Sequence, residues 1–402
     1  MRVHLFLVVA TSLVVTSPTH AQDTWTESAF LAAFDENHIA VRSLTEDLAR
    51  AEAARRRAAT VGNPRVEFER EAPEGNPKQT TWTAAWAPPL DGRLGLAREA
   101  AEAGLAAARE RFAADRLRLR RELRKAYADW ALSVERRDIL RAQQTSVKDL
   151  AEQAKRRADA GEESGIGARR LLLGSAEVGA ELAVAEAEVI RAEALARAWK
   201  PEIPSDARPA RPPLEPPPAE AGLRRPELEA LRLEVEQAEL QGRLARRFFL
   251  FPELQAGWQR LEQRGIEQSG PVFGVSWSLP LFDRFQADRL EAVQRKKALE
   301  ARLAVATARS SAELAAARSS LTGLAERARE QARAVADTEK LVEGAVASFR
   351  AGESTVTDLL ETLRSVREAH LREIELYAEA LEAQRALEAA TAVPLAVEGE
   401  RR

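Results

Sequence analysis

Proline is missing from three long intervals of this chain, and that pattern constrains the fold more than any motif. None occurs between Pro18 and Pro64, between Pro89 and Pro201, or between Pro280 and Pro394. A proline in a helix interior costs about 3 kcal/mol, because it lacks an N–H and clashes with the turn before it. Each gap can therefore hold a helix of unusual length. The stretch from Gly92 to Asp159 is roughly 100 Å at 1.5 Å per residue, and that from Arg284 to Phe349 is nearly as long. Prolines gather instead around 64–89, 201–226 and 252–280. The middle group, with Pro212-Pro213 and Pro216-Pro217-Pro218, predicts an extended connector.

The two outer clusters match each other. Trp86-Ala87-Pro88-Pro89-Leu90 aligns with Trp277-Ser278-Leu279-Pro280-Leu281, and Ala160-Gly161-Glu162 with Ala351-Gly352-Glu353, both at an offset of 191 residues. Upstream, Asn63-Pro64 aligns with Phe251-Pro252 three residues out of step, which places the difference in a hairpin loop. The chain is thus a tandem duplication, with a period too long for a solenoid. Each copy reads as helix, two short strands, a very long helix, a tight turn and a return helix. The boundaries this predicts are a leader at 1–21, a first repeat at 22–200, a connector at 201–222, a second repeat at 223–393 and a tail at 394–402.

Periodicity separates the strands from the helices. Phe273, Val275, Trp277 and Leu279 alternate with Gly274, Ser276 and Ser278; Trp82, Ala84 and Trp86 with Thr81, Thr83 and Ala85; Leu254, Ala256 and Trp258 with Gln255, Gly257 and Gln259. Period two with one apolar face means half-buried strands. Four of the seven tryptophans (Trp82, Trp86, Trp258 and Trp277) fall here, as an aromatic girdle at a membrane interface requires. The long helices step by threes and fours instead, through Leu119, Leu123, Ala126 and Trp130 and through Leu314, Ala317, Leu321 and Leu324. With only 5% aromatic residues, the chain has little material for one thick core, and a thin elongated shape is expected.

Arg2, the apolar run at 5–15 and Thr19-His20-Ala21 form a cleavable export signal. No later run is apolar enough for a membrane helix, so any membrane passage is expected to use strands. The 60 basic and 63 acidic residues are interspersed to a net charge of −3, which suits solvated helix faces and not nucleic acid. Cysteine is absent, so disulfides and thiolate metal sites are excluded. His38 and His370 are expected to be packed, hydrogen-bonded side chains, and no metal or cofactor is expected. No phosphate loop or nucleophile motif is present: the glycines from 161 to 167 follow a helix, not a strand, so no catalytic residue is expected.

The order and spacing of Gly62-Asn63-Pro64-Arg65-Val66-Glu67-Phe68, Trp86-Ala87-Pro88-Pro89-Leu90-Asp91-Gly92, Arg225-Pro226-Glu227-Leu228, Trp277-Ser278-Leu279-Pro280-Leu281-Phe282 and the two Ala-Gly-Glu turns resemble the TolC family of outer-membrane factors, nearest its CzcC/CusC-like cation-efflux branch. The missing lipidation cysteine departs from many members. The resemblance implies a mainly α fold with short β: a homotrimer in which four strands per protomer complete a 12-stranded outer-membrane β-barrel and long helix hairpins form a periplasmic α-barrel. It implies a passive exit duct of a tripartite efflux or export system, in the outer membrane and extending into the periplasm. The partners implied are outer-membrane lipid, a periplasmic adaptor (membrane fusion protein) and an inner-membrane pump of the RND or ABC type. The adaptor would dock at the hairpin turns Gly161, Glu162, Gly352 and Glu353. Acidic residues of the second return helix would ring the periplasmic mouth. The matching residues here are Asp358 and Glu361, with Arg169 or Arg170 as cationic partners; ordinary surface charge, with Glu361 against Arg364, is the plainer reading. A soluble periplasmic coiled-coil adaptor or scaffold is the alternative for the chain as a whole.

Overall fold

A computed structural model of the chain describes residues 24–32, 38–72, 78–161, 165–204, 206–215, 225–247, 252–277, 282 and 284–391. In chain order the elements are β1 (Thr24–Trp25), α1 (Glu27–Ala32), α2 (Ile39–Ala58), β2 (Arg65–Glu71), β3 (Lys78–Trp86), α3 (Arg93–Asp159), α4 (Gly165–Trp199), β4 (Arg208–Pro209), α5 (Pro226–Arg246), β5 (Glu253–Gln263), β6 (Ile266–Ser276), α6 (Gln286–Val335), α7 (Thr338–Ala351) and α8 (Val356–Thr391). In chain order α2-β2-β3-α3-α4 is followed by α5-β5-β6-α6-α7-α8. The export signal and the tail at 394–402 lie outside the described residues.

The residues form two compact units, one of 1–33 with 126–213 and one of 34–125 with 214–402. In the first, α4 buries Leu171, Val178, Leu182, Ala185, Val189, Ala192 and Ala196, a run of sevens, fours and threes that α3 answers with Leu140, Val147, Ala151 and Ala154. This is coiled-coil spacing, and one apolar seam on each helix is enough to hold the pair. At the other end β1 and β4 pair in parallel, Thr24 with Arg208 and Trp25 with Pro209. The Tyr127 hydroxyl lies 2.5 Å from the Trp25 carbonyl and 2.7 Å from that of Ala210. Burial, and then the neighbouring Glu27 carboxylate, push that phenol far above its ordinary pKa, so it stays a neutral donor.

In the second unit α6 and α8 share a core of Ala317, Leu321, Ala325, Ala383, Leu387 and Ala390. The small residues let the helix axes approach. Arg225, in the turn before α5, clamps these elements together. Its Nε donates to the Ala390 carbonyl at 2.5 Å, Nη2 to that of Ser310 at 3.1 Å, and Nη1 to Glu313 at 3.1 Å. Pro226 follows at N1, where a missing N–H costs nothing.

The second long helix differs from the expectation. It is not continuous to Phe349 but breaks at Ala336-Asp337 between α6 and α7. The Thr338 hydroxyl gives its proton to the Val335 carbonyl at 2.7 Å and lies 2.9 Å from His370 Nε2 on α8. Because that hydroxyl proton is spent on Val335, Nε2 carries the proton of the second bond. His370 is thus a packed, hydrogen-bonded residue, and it holds α8 against the break. His38 caps α2, its Nδ1 accepting from the Ala40 N–H at 3.2 Å.

Candidate functional site

The four longer strands form one antiparallel sheet in the order β2-β3-β5-β6. Register decides what its faces carry. Trp82 lies opposite Phe68 and Trp258, Ala84 opposite Val66 and Ala256, Trp86 opposite Leu254, and Val275 opposite Leu254 on the other side. Because side chains alternate along a strand, all of these share one face, together with Phe273, Pro271 and, by continuation, Trp277. That face is open: Phe273 is 79% exposed, Val275 70% and Val66 68%. The four girdle tryptophans stand on it, between 43% and 54% exposed. Phe68 and Trp82 meet with ring centroids 4.5 Å apart, and Trp86 Nε1 donates to the Gly62 carbonyl at 3.1 Å.

From Pro271 to Trp277 the apolar band runs about 20 Å along the strand. Beyond it the same face turns polar, with Arg70, Thr80 and Lys78 on the first hairpin and Arg260, Glu262 and Ser269 on the second. The opposite face carries Glu67, Gln79, Thr81, Thr83, Gln255, Gly257, Gln259 and Ser276, with Arg65 bridging Glu67 at 2.8 Å and Glu253 at 3.1 Å. An apolar surface of this extent, backed by a polar one and ending in two open edges, does not suit water. It suits lipid on one side and an aqueous lumen on the other. Among the described residues no helix is long and apolar enough to cross a membrane.

The helix hairpins end in matching turns. Gly161 and Gly352 both have φ of +78°, the left-handed conformation that closes a helix and that glycine adopts without strain. After Gly352, the Glu353 N–H reaches back to the Ser348 carbonyl at 3.0 Å, and the Glu353 carboxylate lies 3.4 Å from the Ser348 hydroxyl. Glu162, the remaining predicted docking residue, lies outside the described residues.

Asp358 and Glu361 are exposed in the opening turns of α8, and Arg169 and Arg170 are exposed near the start of α4. The two pairs belong to different units. Arg364 reaches Glu368 at 3.6 Å. Asp358 has a local duty that its charge alone does not suggest. Its carboxylate accepts from the Thr355 N–H at 3.0 Å and the Thr355 hydroxyl at 2.7 Å, while the Thr355 Oγ1 accepts from the Asp358 N–H at 3.2 Å. This reciprocal arrangement caps α8. The hydrogen bonds from Thr355 hold the Asp358 carboxyl below its ordinary pKa. The cap is therefore complete above the usual carboxylate range, and is lost only as pH falls through the lowered value. The pattern Thr355-Val356-Thr357-Asp358 was visible in the sequence as a cap. Among the described residues no group of three or more His, Asp or Glu is placed to hold a metal ion.

Comparison with known proteins bears on this geometry. The model of the family described as "Outer membrane efflux protein" matches residues 218–393. Over that region, which holds the second repeat, the chain is similar to outer membrane efflux proteins. No curated protein matches it by sequence. Among solved structures, the chain superposes on CusC with a TM-score of 0.76 at 16% identity, covering 91% of each chain. The outer membrane protein VceC from Vibrio cholerae gives 0.72 at 18%, covering 91% of this chain and 95% of that one. The open state of the Neisseria gonorrhoeae MtrE outer membrane channel gives 0.71 at 18%, covering 91% and 88%. At these identities the structures establish a shared fold.

Proposed function

We propose that three copies of this chain form a passive outer-membrane duct, the exit of a tripartite efflux system. The observation that carries this reading is the β2-β3-β5-β6 sheet, with an exposed apolar face, a polar face and two unpaired edges. Four strands cannot satisfy their edges in lipid, whereas twelve can close. The helix hairpins run from the sheet into the periplasm and end at the Gly161 and Gly352 turns, where an adaptor docks and connects the duct to an inner-membrane pump of the RND or ABC class. The sequence carries no phosphate-binding loop, and the energy is assigned to the pump. The fold gives no support to a soluble adaptor.

The start of α8 is the proposed mouth. Asp358 and Glu361 are three residues apart and share a helix face, so a trimer presents six carboxylates there. A ring of carboxylates in a narrow opening concentrates cations and disfavours anions. The Thr355 hydrogen bonds orient Asp358 and keep it ionised. In planar bilayers, Asp358→Ala with Glu361→Ala is expected to lower the cation-over-anion permeability ratio by several-fold while leaving a pore. A companion Asp358→Asn variant, which keeps an acceptor for Thr355, should recover the cap but not the preference. Unchanged selectivity in the double variant would return both residues to the status of surface charges, and failure of the wild-type protein to form pores would remove the channel reading altogether.

A further inference from the structure

Between the middle of α3, the first turn of α5 and the last turns of α8 lies a cavity of about 180 Å³. Five arginines line it: Arg118, Arg120 and Arg121 from α3, Arg225 ahead of α5, and Arg385 from α8. Among the described residues two carboxylates line it, Glu227 and Glu388. Glu388 is already committed to Arg124, and the two side chains of that ion pair are 11% and 2% exposed. The acids that steady the lining arginines approach from outside the cavity. Glu382 meets Arg121 at 2.5 Å and Arg385 at 3.5 Å, Glu313 meets Arg225 at 3.1 Å, and Asp115 meets Arg118 at 3.0 Å. Four of the five arginines are thus held by acids that do not line the cavity, and all five share its space.

Two further features favour an anion there. The 21-residue helix α5 begins at the cavity with Pro226 in its first position, so the positive end of its dipole adds to the guanidinium field. Arg385, 3% exposed, has its Nη2 fixed on the Arg124 carbonyl at 3.1 Å, which leaves its planar group oriented rather than free to swing. Guanidinium forks match tetrahedral oxyanions in geometry as well as charge. A water molecule takes about 30 Å³ of liquid volume, so the space admits a phosphate group with some of its hydration shell.

We propose that this cavity binds a small oxyanion of charge −2, with inorganic phosphate as the simplest member of its class. The anion bridges α3 of the first repeat to α5 and α8 of the second, and so fastens the two repeats within one protomer. A free phosphate and a phosphate monoester share this chemistry. The inference stands apart from the duct and its mouth, and concerns a ligand held in the wall.

The test is equilibrium dialysis of the detergent-solubilised full-length protein against radiolabelled inorganic phosphate at fixed ionic strength. Saturable binding of one phosphate per protomer is expected, with a thermal midpoint that rises as the site fills. Arg118→Gln with Arg120→Gln is expected to weaken binding about tenfold or more, since each charge-assisted contact is among the stronger hydrogen bonds. These two are chosen because Arg121, Arg225 and Arg385 also fasten helices. Arg118→Gln alone, at a surface pair, serves if the double variant does not assemble. Arg327→Gln, in an exposed pair with Glu330 on α6, should bind as wild type. Competition by glycerol 3-phosphate would assign the site to monoesters, and its failure to free phosphate. Absence of saturable binding, or equal binding in the Arg118 variants, would overturn the proposal.

Discussion

Arginine in place of Val275 is expected to abolish assembly in the outer membrane, whereas arginine at the next residue, Ser276, should be accepted. The two positions differ only in the face they occupy. Val275 lies opposite Leu254 on the apolar face and is 70% exposed in the isolated protomer. Ser276 lies opposite Glu253 on the polar face. On the lipid face of a barrel, an arginine near mid-bilayer depth costs about 2–4 kcal/mol. A trimer carries three copies, for a total of roughly 6–12 kcal/mol, comparable to the whole stability of many folded domains. An arginine at Ser276 enters water and adds charge to the lumen beside Glu253. Heat-modifiable oligomer on gels of outer-membrane fractions reports the difference. Equal yields of both variants would mean that the strands do not face lipid.

Gly257→Val should be as damaging, for a steric reason. A Cβ at Gly257 would lie 2.1 Å from the Trp82 carbonyl oxygen and 2.6 Å from Thr83 Cγ2. Its nearest neighbour is backbone, on the strand that pairs with it, so relief means separating β3 from β5. That pairing joins the hairpin of the first repeat to that of the second. The expected cost is at or above the ~1–3 kcal/mol typical of overpacking, with loss of the oligomer and of strand signal in circular dichroism. Gly274→Ala is the control. Its Cβ would first meet Gln255 Oε1 at 3.1 Å, the end of a flexible side chain, and the variant should assemble. Survival of the Gly257 variant with native strand content would contradict the register.

These two sites show how unevenly the sequence reports on its own structure. The alternation through Val275 and Trp277 was plain, because one apolar face against one polar face is a property of neighbouring residues. The reading of the gap between Pro89 and Pro201 likewise marked one long helix to within a residue: 92–159 was expected for α3, and Arg93–Asp159 is found. Gly257 gave no such signal, since its need arises from a carbonyl on another strand. The break at Ala336-Asp337 gave no signal either, and the Thr338–His370 contact beside it joins residues 32 apart in the chain. Arg225 was noticed as part of a motif, but its partners Ser310, Glu313 and Ala390 lie 85 to 165 residues away. On α8, Asp358 was read for its charge when the cap it forms with Thr355 was equally legible from the spacing.

The central claim, that three copies close one barrel, rests on the two unpaired edges β2 and β6. The chain contains no cysteine, so introduced pairs report without background. Within one protomer β2 and β6 are separated by β3 and β5, three strand spacings of about 4.8 Å each, well beyond the reach of a disulfide. A cysteine at Val66, combined in turn with one at Pro271, Phe273 or Val275, can therefore bond only to a neighbouring copy. Oxidation in intact outer membranes followed by non-reducing electrophoresis should give monomer, dimer and trimer bands for at least one pair, ending at the trimer and collapsing to monomer on reduction. A ladder running past the trimer, or no crosslink for any pair in correctly inserted protein, would contradict the account.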